Sequence, residues 1–204
     1  MKTALKIIGI VFGVIVLLVV VAAIVFYFIT GNFITRTFDV AVEPVDIPAG
    51  DEVLAHGQHV ATIWGCTDCH GENLAGQPLI EDPAMGYLYA SNLTSGKGGV
   101  GSTFSPTDWV RAIRHGVRPN GQSLIVMPSL DFYYMSDRDL GALLAYIKSV
   151  PPVDHEMPAR SFGPIGRMLL YTEAIPLQAV KVNHTAPRPD PDPGVTVELL
   201  ADLA

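Results

Sequence analysis

Cys66-Thr67-Asp68-Cys69-His70 sets two thiols three positions apart and a histidine directly after the second. Two thiols three positions apart can add across the two vinyl groups of one porphyrin. The histidine beside the second thiol is then placed under the macrocycle, where it can ligate the iron. The stretch therefore predicts one covalently attached haem c on Cys66 and Cys69, with His70 as an axial ligand. These two are the only cysteines in the chain. The competing readings are a buried or disulfide-linked pair with an unrelated histidine, and half of a zinc site. A structural zinc needs four ligands, and no second cysteine pair exists to complete it.

Upstream of the motif, Ile7 to Ile29 is a run of 23 residues without a charge. As a helix it reaches about 35 Å, enough to cross a bilayer core of about 30 Å with some tilt. A secretory signal has a shorter apolar core, about 7–15 residues, and a small-x-small cleavage site. Phe26-Tyr27-Phe28-Ile29-Thr30-Gly31-Asn32-Phe33 offers no such site, so residues 1–30 are expected to be a retained signal anchor. Lys2 and Lys6 precede the span and no acidic residue occurs before Asp39. The positive-inside bias puts the N-terminus in the cytoplasm and the rest in the periplasm, with Tyr27, Phe28 and Phe33 at the outer interface. This compartment is the one in which haem c is attached. Setting Lys2 and Lys6 aside leaves 11 of the 13 basic residues against 20 acidic ones, a formal charge of −9. Such a surface argues against nucleic acid or anionic lipid as a partner and suits a redox protein with a basic docking face.

Residues 31–50 hold Pro44, Pro48 and Gly50 and lack a helical period; they read as a tether reaching at most about 65 Å from the membrane. A helix is expected from about Asp51 to Trp64, with Val53, Leu54, Val60 and Ile63 toward a core. Residues 71–104 are rich in glycine and proline and read as loop around a short apolar piece, Tyr87-Leu88-Tyr89. Ser105-Pro106-Thr107-Asp108 and Ser136-Asp137-Arg138-Asp139 are helix starts. Gly116 ends the first of these helices, and Pro151-Pro152 ends the second. The layout is all-α, with a haem domain at 51–152 and a mostly irregular, proline-rich extension at 153–204.

A second axial ligand must come from downstream, where Met85, His115, Met127, Met135, His155, Met157, Met168 and His184 are available. Met127 is placed best, because Leu124-Ile125-Val126-Met127-Pro128 is an irregular segment between two helices and Pro128 stiffens it. Met135 precedes a helix N-cap, where an apolar residue commonly acts as a hydrophobic staple. His115 reads as a surface or dipole-pairing histidine. The other ring nitrogen of His70 needs a backbone acceptor, with Pro78 and Pro83 in the loop that can supply one. Trp109, Arg111, Arg114, Asn92 and Tyr89 are candidate donors to the haem propionates.

Several separated blocks then carry a resemblance. Trp64 to Gly71, Tyr87 to Thr94, Val110-Arg111-Ala112-Ile113-Arg114-His115-Gly116-Val117-Arg118-Pro119-Asn120-Gly121 and Met127-Pro128 occur in order before Pro151-Pro152. Together they resemble class I cytochrome c, and more narrowly the haem domains in the cytochrome subunits of membrane-bound alcohol, aldehyde and gluconate dehydrogenases. The resemblance implies His70 as proximal and Met127 as distal iron ligand. Those subunits carry three such domains, whereas this chain has one attachment motif and an N-terminal anchor. Its tail resembles the connector between consecutive haem domains. The expected role is a membrane-anchored monohaem cytochrome that moves single electrons in the periplasm and performs no substrate chemistry. Its partners would be a dehydrogenase or quinol-oxidising complex as donor and an oxidase or soluble cytochrome as acceptor. The alternatives are a relay subunit of a stable dehydrogenase or oxidase complex, and a haem sensor with an open sixth position.

Overall fold

The computed structural model describes residues 2–188. The end of the tail, with Pro193 to Glu198, lies outside the described residues. In chain order the elements are α1 (Lys2–Ile34), α2 (Asp51–Ile63), α3 (Cys66–His70), β1 (Pro78–Asp82), β2 (Gly86–Tyr89) and α4 (Pro106–His115). They continue with α5 (Ser129–Phe132), α6 (Asp137–Ser149), β3 (Ser161–Phe162), α7 (Pro164–Tyr171) and α8 (Gln178–Lys181).

Helix α1 has a mean hydropathy of 3.4 over its most apolar window and buries none of that window in the protein. It is a candidate membrane anchor by length and composition. Helices α2 and α6 cross closely because Gly57 has no side chain: a Cβ there would lie 2.0 Å from the Ala142 carbonyl oxygen. His56 Nε2 meets Asp139 Oδ1 at 2.6 Å across the same crossing. Around it Val60, Leu140, Leu143, Leu144 and Ile147 form the main core with Trp109, Val110 and Ile113 of α4. Ile63, expected inside, is exposed, because the buried stripe of α2 runs through Gly57, Val60 and Ala61 and Ile63 falls outside it.

Both expected caps form. Ser105 Oγ accepts from the Asp108 amide, and the Asp108 carboxylate accepts from the Ser105 amide, a reciprocal box. Ser136 Oγ accepts from the Asp139 amide. Helix α4 ends at Gly116, whose φ of 63° is one that glycine adopts without cost.

The all-α expectation needs correction. Strands β1, β2 and β3 form a small antiparallel sheet in that order. Its hairpin is closed by Asp82 Oδ1, which accepts from the amides of Ala84 and Met85 at 2.8 and 2.7 Å. Four- and five-residue strands set among glycines and prolines leave too short an alternation to read. The tail is also more regular than expected up to Lys181, because it supplies β3, α7 and α8. Residues 35–50 are not a free tether. Thr37 bridges Gln122, Val45 is buried, and Val42 and Ile47 pack on the main core.

Candidate haem site

Helix α3 presents Cys66, Cys69 and His70 to a cavity of about 590 Å³ beside the main core. Trp64, Leu93, Phe104, Ile113, Phe132 and Leu143 give it a largely apolar wall. Met127 and Met135 line it too. No disulfide joins Cys66 to Cys69 in this structure. Burial, with smaller contributions from Cys69 and Asp68 opposed by a backbone hydrogen bond, pushes the Cys66 thiol up to about 11. It is therefore a protonated thiol rather than a reactive thiolate.

His70 Nδ1–H donates to the Ser91 carbonyl at 2.7 Å, since a carbonyl oxygen only accepts. That bond fixes the tautomer and leaves Nε2 as the ring's free lone pair. The acceptor expected at Pro78 or Pro83 is thus Ser91, which the hairpin returns to α3. Burial lowers the His70 pKa, only partly offset by this hydrogen bond, so the ring is neutral and able to ligate a metal.

Of the eight candidates for the second ligand, only Met127 and Met135 line the cavity. Met85 lines a separate apolar groove. His155 Nδ1 binds the Ala75 carbonyl at 2.9 Å, and Met168 is exposed on α7. His115, read as a surface residue, is 2 % exposed. His184 Nε2–H donates to the Ala179 carbonyl at 3.0 Å. Its Nδ1 must then accept from His115 Nδ1–H at 2.9 Å, and the pair latches the tail onto α4.

Burial first, then the charges of His184, Arg188, Arg114 and Arg111, lower the His115 pKa to about 4. The fold holds this ring neutral, whereas the unfolded chain protonates it near 6.5. Its contribution to stability is complete above that pH and is lost as the pH falls toward 4. Urea titrations should show a loss of about 3 kcal/mol across this window, and His115→Phe should flatten that part of the profile.

The cavity's polar groups test whether a haem fits. Trp109 Nε1 and Arg118 Nε are buried and have no hydrogen-bond partner among the described residues, a cost of about 1–3 kcal/mol each if nothing meets them. Both residues line the cavity together with Arg160. Burial, and then the charge of Arg118, lowers Arg160 to about 10. Among the described residues neither arginine pairs with a carboxylate. Two guanidiniums and an indole N–H beside an apolar cavity call for an anionic edge on an apolar body, which is the chemistry of a haem with its propionates. The residues fit the group.

Of the donors expected from sequence, Trp109 remains. Arg111 pairs with Asp108, and Arg114 is held by the Met135 carbonyl and Asp137, both at 2.7 Å. The Asn92 amide donates to the Val153 and His155 carbonyls, while Tyr89 donates to Glu81. Arg118 could have been suspected from the Arg118-Pro119-Asn120-Gly121 turn. Arg160 lies in an aperiodic stretch that carries no signal.

No protein-family model matches the chain. It is 36% identical over 115 residues to the gluconate 2-dehydrogenase cytochrome c subunit of Pantoea cypripedii, a match covering 53% of this chain and 26% of that relative. The fructose dehydrogenase cytochrome subunit of Gluconobacter japonicus is 34% identical over 124 residues, covering 57% and 25%. An alcohol dehydrogenase (quinone) cytochrome c subunit from Gluconobacter oxydans is 31% identical over 112 residues, covering 52% and 23%. The chain spans about a quarter of the length of these curated relatives. The resemblance to cytochrome c subunits of dehydrogenases, read above from separated blocks of residues, holds.

Proposed function

We propose that this chain binds one haem c through thioethers at Cys66 and Cys69, with His70 and Met127 as axial ligands. On this reading residues 51–152 form the haem domain, α1 anchors it in the bacterial inner membrane, and the domain passes single electrons in the periplasm. The observation that carries the reading is that one apolar cavity of about 590 Å³ is lined by Cys66, Cys69, His70 and Met127 together.

Bound haem c supplies a reversible Fe(II)/Fe(III) couple. His70 is held by Ser91 in the tautomer that offers Nε2. Met127 offers a soft thioether, which favours the reduced state relative to a histidine. It is preferred to Met135, whose carbonyl is tied to Arg114 and whose position before the Ser136 cap is that of a staple. Held by both His70 and Met127, the iron would keep no position for oxygen or substrate, so the chain would act as a conductor rather than a catalyst. Arg118 and Arg160 would balance the charge of the propionates, and the Trp109 indole N–H would donate a hydrogen bond to them. The apolar wall keeps water away, which limits reorganisation when the charge changes.

A second reading, a relay subunit within a stable dehydrogenase complex, draws support from the relatives, which are named as subunits of dehydrogenases. Purification of the chain from its own membranes in mild detergent separates the two. A stoichiometric flavin- or quinone-dependent partner favours the relay subunit. A chain that comes off alone and is reversibly reduced favours the carrier. Carbon monoxide binding to the reduced native protein contradicts both, because it requires an open sixth position.

A further inference from the structure

Helix α7 presents apolar side chains in two directions. Gly166 and Leu170 face the protein and are buried, whereas Ile165, Met168 and Tyr171 are 45–48 % exposed. Spacing of three puts those exposed residues along one stripe. An apolar stripe is out of place on an acidic exported domain unless something covers it.

Its position indicates what covers it. Helix α7 lies along the outer end of α1. Arg167 Nη1 donates to the Tyr27 carbonyl and to Thr30 Oγ1, both at 3.2 Å, and its guanidinium stands 4.0 Å from the centre of the Tyr27 ring. Tyr171 meets Phe26 and Phe33 edge-on. Counting from Ile7, the first uncharged residue after Lys6, the twentieth is Phe26. About 20 helical residues fill a bilayer core of about 30 Å. The segment from Tyr27 to Ile34 is then at headgroup level, and so is the helix packed on it. Tyr27, Phe28 and Ile29 are themselves 46–66 % exposed, and they continue the lipid-facing surface of α1 alongside α7. The mixture of aromatic rings, one arginine and aliphatic side chains is that of a helix lying in the interface.

We propose that α7 is seated in the outer headgroup layer of the membrane that α1 crosses, with Ile165, Met168 and Tyr171 in contact with lipid. This rests on the reading of α1 as a membrane span. The junction is joined to the body of the domain. Ile34 of α1, Leu170 of α7 and Leu177 form one buried cluster with Ile125, two residues before Met127. Phe162, at the start of the same segment, lines the haem cavity. The domain is therefore clamped to the bilayer in one orientation instead of swinging on a flexible linker, and one face of the haem cavity is held at a constant height above the membrane.

Single cysteines at Ile165→Cys, Met168→Cys, Val16→Cys in α1 and Gln58→Cys at an exposed position of α2 test this in the haem-loaded full chain. The native thiols are consumed by the haem. In liposomes of phosphatidylcholine and phosphatidylglycerol, a charged water-soluble maleimide should modify Ile165→Cys and Met168→Cys roughly tenfold more slowly than Gln58→Cys, because the reactive thiolate is disfavoured away from water. Val16→Cys should be inert. If the α7 positions react as fast as Gln58→Cys while Val16→Cys stays inert, the proposal is overturned and the span stands. If Val16→Cys also reacts, the span fails and the proposal with it. Protection of α7 that disappears as lipid is increased over protein assigns the stripe to a second copy of the chain, and this too overturns the proposal.

Discussion

A chain carrying Cys66→Ala and Cys69→Ala together is expected to yield no haem that survives acid–acetone extraction, and to lose its cooperative fold. Trp109, Ile113, Phe132, Leu143 and Ile147 of the main core wall a space of about 590 Å³. Unfilled volume in a protein interior costs roughly 24 cal/mol per Å³. Half of that space left empty sets a cost of about 7 kcal/mol against a total stability of about 5–15 kcal/mol for a domain. The unpaired donors of Trp109 and Arg118 add to it. The measurement is urea unfolding followed by far-ultraviolet circular dichroism. The double variant should melt without a sharp transition, and α1 alone should keep its helicity in detergent. A variant that unfolds as sharply as the parent without haem would show that the cavity serves another ligand.

Met127→Ala should abolish the weak near-infrared charge-transfer band of methionine-ligated ferric haem and let carbon monoxide bind the reduced protein. It should also lower the reduction potential by roughly 0.1–0.3 V, a fraction of the ≈ 0.8 V range over which axial ligands set haem potentials. Met135→Leu provides the contrast. Met135 lines the same cavity but is 2 % exposed within the main core. A near-isosteric apolar replacement there should leave the band in place and cost under about 1.5 kcal/mol of stability. A band that survives Met127→Ala and vanishes in Met135→Leu would exchange the two assignments.

What was legible in the chain was what local chemistry dictates. The Ser105 and Ser136 caps, the Gly116 stop and the long apolar run each depend on residues a few positions apart, and each formed where it was expected. The sheet was not legible, because β3 comes from residues 161–162 and pairs with β2 more than seventy positions earlier. No alternation in two residues can announce that. The same holds for the anion-binding edge of the cavity. Arg160 reaches it only because the tail folds back as β3, and Ser91 reaches His70 only because the β1–β2 hairpin returns the chain to α3. His115 was misread for a related reason. Its partner His184 is 69 positions away, and a histidine at the end of a helix ordinarily faces water. Residues 35–50 looked like a tether because prolines suppress helical periodicity, yet Val42, Val45 and Ile47 pack on the main core without needing regular structure.

If a haem is held by two thioethers to Cys66 and Cys69, the alkaline pyridine spectrum of the denatured full chain reveals it. Saturating both vinyl groups shifts the reduced α-band to the position of a haem c. That spectrum is expected at one equivalent per chain, unchanged after acid–acetone extraction. A spectrum of unmodified haem b that leaves with the solvent, or no haem at all, would contradict it.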